Sequence, residues 1–192
     1  MTSDAIAVGG LVLRRPAEDD AAAVLALALD PDVIRWNPMR VHDLESAAAW
    51  CRSSADWSSG SHASWVVAEA TRPVPVATVS VFDIDADHAA AGIGYRVAPG
   101  HRSRGIARTT VAAASAWAFE ALGLARLQLV HAVDNVASCR VATAAGFALE
   151  GTLRSSYLDG WGIRHDEHVH GRLAGDPAPE PPDPRRAQDG RA

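Results

Sequence analysis

Apolar positions along the chain change period several times, and each change marks an element. Between residues 106 and 122 they recur at Val111, Ala114, Trp117, Ala118, Ala121 and Leu122. That spacing lines one face of a helix, and Gly123 offers a stop that tolerates left-handed backbone. Residues 126–133 alternate instead, with strand-like content. Asp134 and Asn135 can cap a second, shorter helix that ends at Ala145-Gly146. Upstream, residues 11–15 read as a first strand. Residues 17–29 read as an alanine-rich helix whose first turn carries Glu18, Asp19 and Asp20, where the helix dipole favours acids. Residues 30–42, with Trp36 and two prolines, predict a loop, and 43–57 a further helix. Strands are expected over 63–70, 74–84, 88–97, 147–156 and 164–172.

The stretch His101-Arg-Ser-Arg-Gly-Ile-Ala107 sits between the 88–97 strand and the 106–122 helix. A glycine-containing loop at a helix start gathers backbone N–H groups around one point, and the helix dipole adds positive potential. Arg102 and Arg104 bring charge, and Gly105 lets the backbone come close to a ligand. Arg-x-x-Gly-x-Ala is therefore suited to a pyrophosphate, although the heptamer by itself reads equally as a solvated turn. It is not a Walker loop, since no Gly-Lys-Ser/Thr follows. Asn135 and Ser138 are three apart and share a face of the next helix's first turn.

Composition narrows the function classes. A chain of 192 residues, 48% hydrophobic and 21% charged, is ordinary for one globular domain. A net charge of −5 argues against general nucleic-acid binding, which needs clustered cations. No apolar run is long enough to span a membrane, and no basic segment precedes the apolar residues 5–13, so a signal peptide is not expected. Cys51 and Cys139 form no metal or redox spacing, which suggests free thiols in a reducing, cytoplasmic setting. Residues 175–192 hold Pro177, Pro179, Pro181, Pro182 and Pro184, and predict a disordered tail behind a domain spanning 1–174.

The ordered set of strand, Arg-x-x-Gly-x-Ala, helix, strand, Asp-Asn-x-x-Ser and Ala145-Gly-Phe-x-x-Glu-Gly151 resembles the GNAT acetyltransferase superfamily. Within it the chain is most similar to the RimJ/RimL-type branch, and Leu11-Val-Leu-Arg-Arg15 and Asp159-Gly160 … His165-Asp166 fit that branch too. The resemblance covers residues 10–173. It implies the α/β (α+β) GNAT fold: a mixed, mostly antiparallel twisted sheet, splayed at the centre and flanked by helices. It implies an N-acetyltransferase that moves an acetyl group from acetyl-CoA to a primary amine by direct transfer. Tyr95, Arg96 and Val97 would then offer backbone groups to the acyl and pantetheine portions. Arg102, Ser103, Arg104, Gly105, Ile106 and Ala107 would bind the pyrophosphate, and Asn135 the pantetheine. Ser138 would lie near the sulfur and protonate the departing thiolate; as plain chemistry, a first-turn serine can also simply bond its own backbone. Trp36 falls where the family places its acceptor cleft.

The general base is not assigned by the pattern. Relatives commonly carry Glu two residues before the Gly-Tyr pair, and some RimL-like proteins carry one seven residues after the glutamate of the Glu-Gly pair. Here those positions are Gly92 and Tyr157. Asp83, Asp85, Tyr157 and His168 remain, or no protein base at all. The missing carboxylate also keeps open a non-catalytic acyl-CoA-binding sensor or scaffold. No metal is expected: on a strand His168 and His170 face one side and His165 the other, and two ligands are too few for zinc. Cys139 points about 100° away from Ser138 along the helix and reads as a structural cysteine. Asp30, Asp32, Asp43 and Glu45 would make the acceptor loop acidic, tempered by Arg35 and Arg40. The expected partner is an amine, either a peptide or protein N-terminus or a small molecule. A homodimer is left open, and neither nucleic acid nor membrane is expected.

Overall fold

Two adjacent glycines begin the sheet. Gly9 and Gly10 take φ of 55° and 78°, a region glycine enters without a Cβ penalty. The chain therefore reverses tightly, and Ile6–Val8 (β1) lies antiparallel on Leu11–Arg14 (β2). The computed structural model describes residues 5–179. A single turn of 3-10 helix at Glu18–Asp20 leads into Ala21–Ala28 (α1). Buried Asp20 takes both terminal nitrogens of Arg14 at 2.7 Å, which ties this turn to β2.

Residues 30–42 are not a loop throughout. Pro31–Trp36 forms a short helix (α2). Asp30 Oδ1 accepts from the Val33 N–H at 3.1 Å, and Pro31 occupies the first helical position, where it loses no hydrogen bond. Leu44–Ala55 (α3) follows, capped by Asp43 on Ser46. Then come His62–Glu69 (β3), Arg72–Asp85 (β4), Ala90–Val97 (β5), Ile106–Leu122 (α4), Arg126–Ala132 (β6), Val136–Ala144 (α5), Ala148–Leu158 (β7) and Arg164–Leu173 (β8).

The strands form one sheet in the order β1-β2-β3-β4-β5-β6-β8-β7. Every neighbouring pair is antiparallel except β5 and β6, which are parallel and paired only at Ala90–Arg126, Ala91–Leu127 and Gly92–Gln128. Beyond Gly92 the two strands part, and residues 93–97 keep β4 alone as a ladder partner. This is the fold class the sequence predicts, splay included.

One face of the sheet buries Leu13, Trp65, Val79, Ile93 and Leu129 against Val111, Ala114 and Ala118 of α4. Trp57, Trp65 and Trp117 meet edge-to-face there, with ring centres 4.9–5.6 Å apart, and the Arg15 guanidinium lies 4.0 Å over Trp57. On the other face α1 and α3 use small residues, Ala21, Ala28 and Ala47, to approach Val66 closely. Among the described residues no helix is long and apolar enough to cross a membrane. The expected tail falls outside the described residues from 180 onward; residues 175–179 follow β8 without regular structure.

Candidate active site

The parting of β5 from β6 opens a cleft of about 1240 Å³. Its walls are β5, the 101–107 loop with the start of α4, the first turn of α5, and α2. Of the residues expected at the site, all but Arg104 line this one cleft.

The loop turns through left-handed backbone at two points, and only at Ser103 does that carry strain. Ser103 and Gly105 take φ of 59° and 76°, and Gly105 is the N-cap of α4 without a side chain to cap it. The first-turn N–H groups of a 17-residue helix are thus left for a ligand. The two arginines do not add their charge in the way the sequence suggests. Arg102 is held by Asp30 and Asp32 at the start of α2, and its Nε donates to the Val97 carbonyl at 3.1 Å. Arg104 turns to Glu69 at 2.8 Å. The acidic acceptor loop is spent in the same contacts. Asp30 and Asp32 belong to Arg102, and Asp43 caps α3.

Tyr95 and Ser138 face each other across the cleft. The Tyr95 hydroxyl donates to Ser138 Oγ at 3.2 Å. Burial pushes the Tyr95 phenol up, and Ser138 offsets this only in part, so Tyr95 keeps its proton. Asn135 Oδ1 accepts from the Ser138 N–H at 3.1 Å and caps α5, which leaves its amide nitrogen as the group able to serve a ligand. The Tyr95 carbonyl takes Asn37 Nδ2 at 3.0 Å. Arg96 reaches back to the Asn37 and Pro38 carbonyls and the Asn37 side chain, and burial brings its guanidinium down to about 10.

The observed splay, the uncapped loop and the hydroxyl pair agree with a family match that runs over most of the chain: residues 10–148 match the acetyltransferase (GNAT) domain. The chain belongs to the GNAT acetyltransferase family. This GNAT acetyltransferase is 28% identical over 162 residues to an uncharacterized N-acetyltransferase, YoaA, of Bacillus subtilis (strain 168), covering 83% of this chain and 91% of that one. Its fold is similar to that of the ribosomal-protein-S5-alanine acetyltransferase of Vibrio fischeri, with a TM-score of 0.80 at 20% identity over 92% of this chain and 99% of the other. It is also similar to RimJ of Mycobacterium smegmatis, solved with a CoA-disulfide. That match has a TM-score of 0.75 at 26% identity, over 85% and 82% of the two chains.

In this GNAT enzyme position 92, where the resemblance leads one to expect a carboxylate, is glycine, and the exposed Phe82 ring lies over it. A Cβ on Gly92 would lie 2.6 Å from the Phe82 ring, and one on Gly94 3.3 Å from it. Phe82 fills the space a side chain at 92 would need. Of the other candidate bases, Asp83, Asp85 and Tyr157 line the cleft, and His168 does not. The backbone and ring of His88 hold the Asp85 carboxyl below its usual range, which makes it a weaker base. Tyr157 donates to the Arg35 carbonyl at 2.7 Å, and burial pushes its phenol up.

One wall of the cleft is α2, docked on the β7–β8 hairpin, a contact the sequence did not reveal. Arg35 lies between Trp36 and Trp161, 4.1 and 4.4 Å from their ring centres, and Trp36 meets His165 edge-on at 5.3 Å. His165 Nδ1 faces Asp134 at 2.8 Å and its Nε2 faces Asp159 at 2.9 Å. The Asp159 and Asp134 contacts raise the His165 imidazole above its usual value. Burial pushes the Asp159 carboxyl up, but the Ile163 N–H, His165, the Trp161 N–H and Arg35 outweigh it and bring it down to about 2.

This network gives stability a pH signature. With its folded pKa raised, His165 contributes fully below its ordinary value of 6.5, and the contribution is lost as pH rises through the raised value. Asp159, with its folded pKa depressed, contributes above 3.8 and is lost as pH falls toward about 2. The melting temperature should therefore fall as pH is raised from about 6 to 8, and His165→Gln should flatten that slope. An unchanged slope in the variant would assign the effect to another group.

Proposed function

We propose that this chain transfers an acetyl group from acetyl-CoA directly to a primary amine, using the gap between β5 and β6 as the donor site. The observation that carries the reading is the Tyr95–Ser138 hydroxyl pair standing where that gap meets the first turn of α5. The edge of residues 93–97 that β6 leaves unpaired suits an extended pantetheine arm, which would share the Tyr95 and Val97 carbonyls with Asn37 and Arg102. The start of α4, uncapped at Gly105, suits the pyrophosphate.

During transfer the amine nitrogen bonds to the thioester carbon and the carbon–sulfur bond breaks. Tyr95 donates to Ser138, so the Ser138 O–H is free to turn toward the sulfur. Ser138 then gives its proton to the leaving thiolate, the Tyr95 phenol reprotonates it, and Tyr95 recovers a proton from the cleft water that receives the one lost by the amine. With glycine at position 92, no carboxylate there takes the amine proton; that proton leaves through water in the open cleft, or the amine arrives neutral. Direct transfer keeps both substrates bound together and needs no covalent enzyme intermediate.

The acceptor is a peptide or protein N-terminus or a small amine. The resemblance of the chain's motifs to the RimJ/RimL-type branch, named for acetylation of ribosomal-protein N-termini, favours the first. Arg35, Trp36 and Trp161 would meet it at the α2–hairpin wall. Both cysteines are free thiols, which supports a cytoplasmic setting. A thiol-release assay across peptide and small-amine panels, with several acyl-CoAs, tests the whole reading. Turnover with at least one acceptor is expected. Tight acetyl-CoA binding with no turnover on any amine would favour a sensor or scaffold, the reading that glycine at position 92 keeps alive.

The loop assignment has its own test. Gly105→Asp puts an anion beside the phosphate site and should weaken acetyl-CoA binding about 10–100-fold, since a charge-assisted contact is worth roughly 1.5–3 kcal/mol. Arg102→Ala should have a smaller effect, because Arg102 is already engaged by Asp30 and Asp32. Unchanged affinity by calorimetry in Gly105→Asp would remove the loop from the site.

A further inference from the structure

Three histidines and a cysteine converge beside the transfer site, behind the cleft wall that His131 shares. His131 on β6 stands directly opposite His168 on β8, and His170 follows two residues later on the same side. Cys139, in the first turn of α5, meets them. Their ligand atoms all lie within 4.8 Å of one another. We propose that His131, His168, His170 and Cys139 bind a divalent transition-metal ion, zinc first, which pins the first turn of α5 to the β6–β8 pair.

The spacing fits a shared ion. His131 Nε2 and His170 Nε2 are 3.2 Å apart. Two nitrogens at Zn–N bonds of about 2.0–2.1 Å and a tetrahedral angle stand roughly 3.3 Å apart. The tautomers fit as well. His131 Nδ1 faces the Ala132 carbonyl at 2.8 Å, and His170 Nδ1 faces the Phe147 carbonyl at 3.4 Å. A carbonyl only accepts, so each Nδ1 carries the proton and each Nε2 presents a lone pair. Two lone pairs pointed at each other repel unless a cation stands between them. Backbone carbonyls holding the far nitrogen are also the usual support of metal-bound histidine.

The remaining ligands agree. His168 Nδ1 is buried without a hydrogen-bond partner among the described residues, a costly state that a metal bond would relieve. Burial pushes the His131 and His170 imidazoles down, toward the neutral form a metal requires. Three nitrogens and one thiolate are a donor set that zinc accepts in tetrahedral sites. Cys139 is half-buried beside a small surface hollow with Val136 and Thr143, which gives the ion a way in. On binding, the thiol proton of Cys139 is released to solvent as the sulfur–metal bond forms. Ser138 is the preceding residue, so the ion would fix the backbone that carries the Tyr95 partner.

The test uses tag-free full-length protein, so that no added histidines compete. Zinc titration against a chromophoric chelator should show one tight site per chain with proton release. Cobalt loading should give the visible bands of a tetrahedral site together with a thiolate-to-cobalt charge-transfer band. Cys139→Ser should abolish that band and weaken zinc by more than the roughly 10–100-fold that loss of an outer-shell partner costs. His170→Gln should weaken it similarly, and His165→Gln should leave it unchanged. Absence of chelator-competitive zinc in the wild-type protein overturns the proposal and leaves a metal-free histidine cluster. Unchanged zinc affinity in Cys139→Ser overturns the four-ligand assignment. Acetyl-CoA affinity, measured alongside, is independent of either outcome, so failure here does not bear on the transferase reading.

Discussion

Ser138→Ala is expected to lower kcat by on the order of 10²-fold at saturating acetyl-CoA, with little change in donor affinity. General-acid contributions span roughly 10²–10⁴-fold, and the open cleft lets water replace part of the hydroxyl's role, which places the effect at the lower end. Proton donation matters only as the thiolate departs, so the loss belongs to kcat and not to binding. Tyr95→Phe removes the donor behind Ser138 and should cost less than Ser138→Ala if the two act in series. The double variant should then be no slower than Ser138→Ala alone, because a relay already broken at its last step cannot be broken again. Wild-type turnover in Ser138→Ala combined with a crippled Tyr95→Phe would make the tyrosine the acid. Steady-state rates with the true acceptor decide between them.

Gly160→Ala should damage the acceptor wall more than its single methyl suggests. A Cβ there would lie 2.0 Å from the Ile34 carbonyl oxygen and 2.8 Å from the carbonyl carbon. Both are backbone atoms of α2, so no side chain can swing aside. The hairpin must lift, and the lift strains the Gly160 N–H to Arg35 carbonyl bond and the Tyr157 contact to the same oxygen. Overpacking of this kind costs about 1–3 kcal/mol, which in a domain of this size lowers the melting temperature by roughly 2–4 °C per kcal/mol. The functional effect should be a raised KM for the amine and a smaller rise for acetyl-CoA, since Gly160 meets α2 at Ile34 while the donor loop touches α2 only at its start, through Arg102 on Asp30 and Asp32. Equal changes in both constants would mean that the wall and the donor site are one unit.

Much of the fold was legible because its signals are local. The period of α4, the Gly123 stop and the Asn135 cap are each read within a few residues. The site residues on β5, the loop and α5 were legible through the family pattern, and the cleft gathers all of them but Arg104. The α2 helix was missed although its start was written in Asp30-Pro31. Two prolines within a few residues weighed more than a cap that only three-dimensional geometry makes visible. The charges misled for a related reason. Arg102, Asp30 and Asp32 look like a ligand-binding cation and an acidic surface until α2 folds and brings them together. Nothing in the chain's order predicts Phe82 over Gly92, or His131 opposite His168. Both depend on strand register, which tertiary packing sets.

Five of the six tryptophans fall into two optical regions. Trp57, Trp65 and Trp117 touch one another edge-to-face in the α4-side core. Indoles at these separations share their excited states, so the trio acts as one chiral chromophore whose ultraviolet circular dichroism vanishes only when that core melts. Trp36 and Trp161 sandwich a guanidinium at the wall proposed for the acceptor, so their emission is the signal expected to change when an acceptor arrives. A single chain, without any added dye, thus carries one spectroscopic signal for global integrity and a separate one for occupancy of its working mouth.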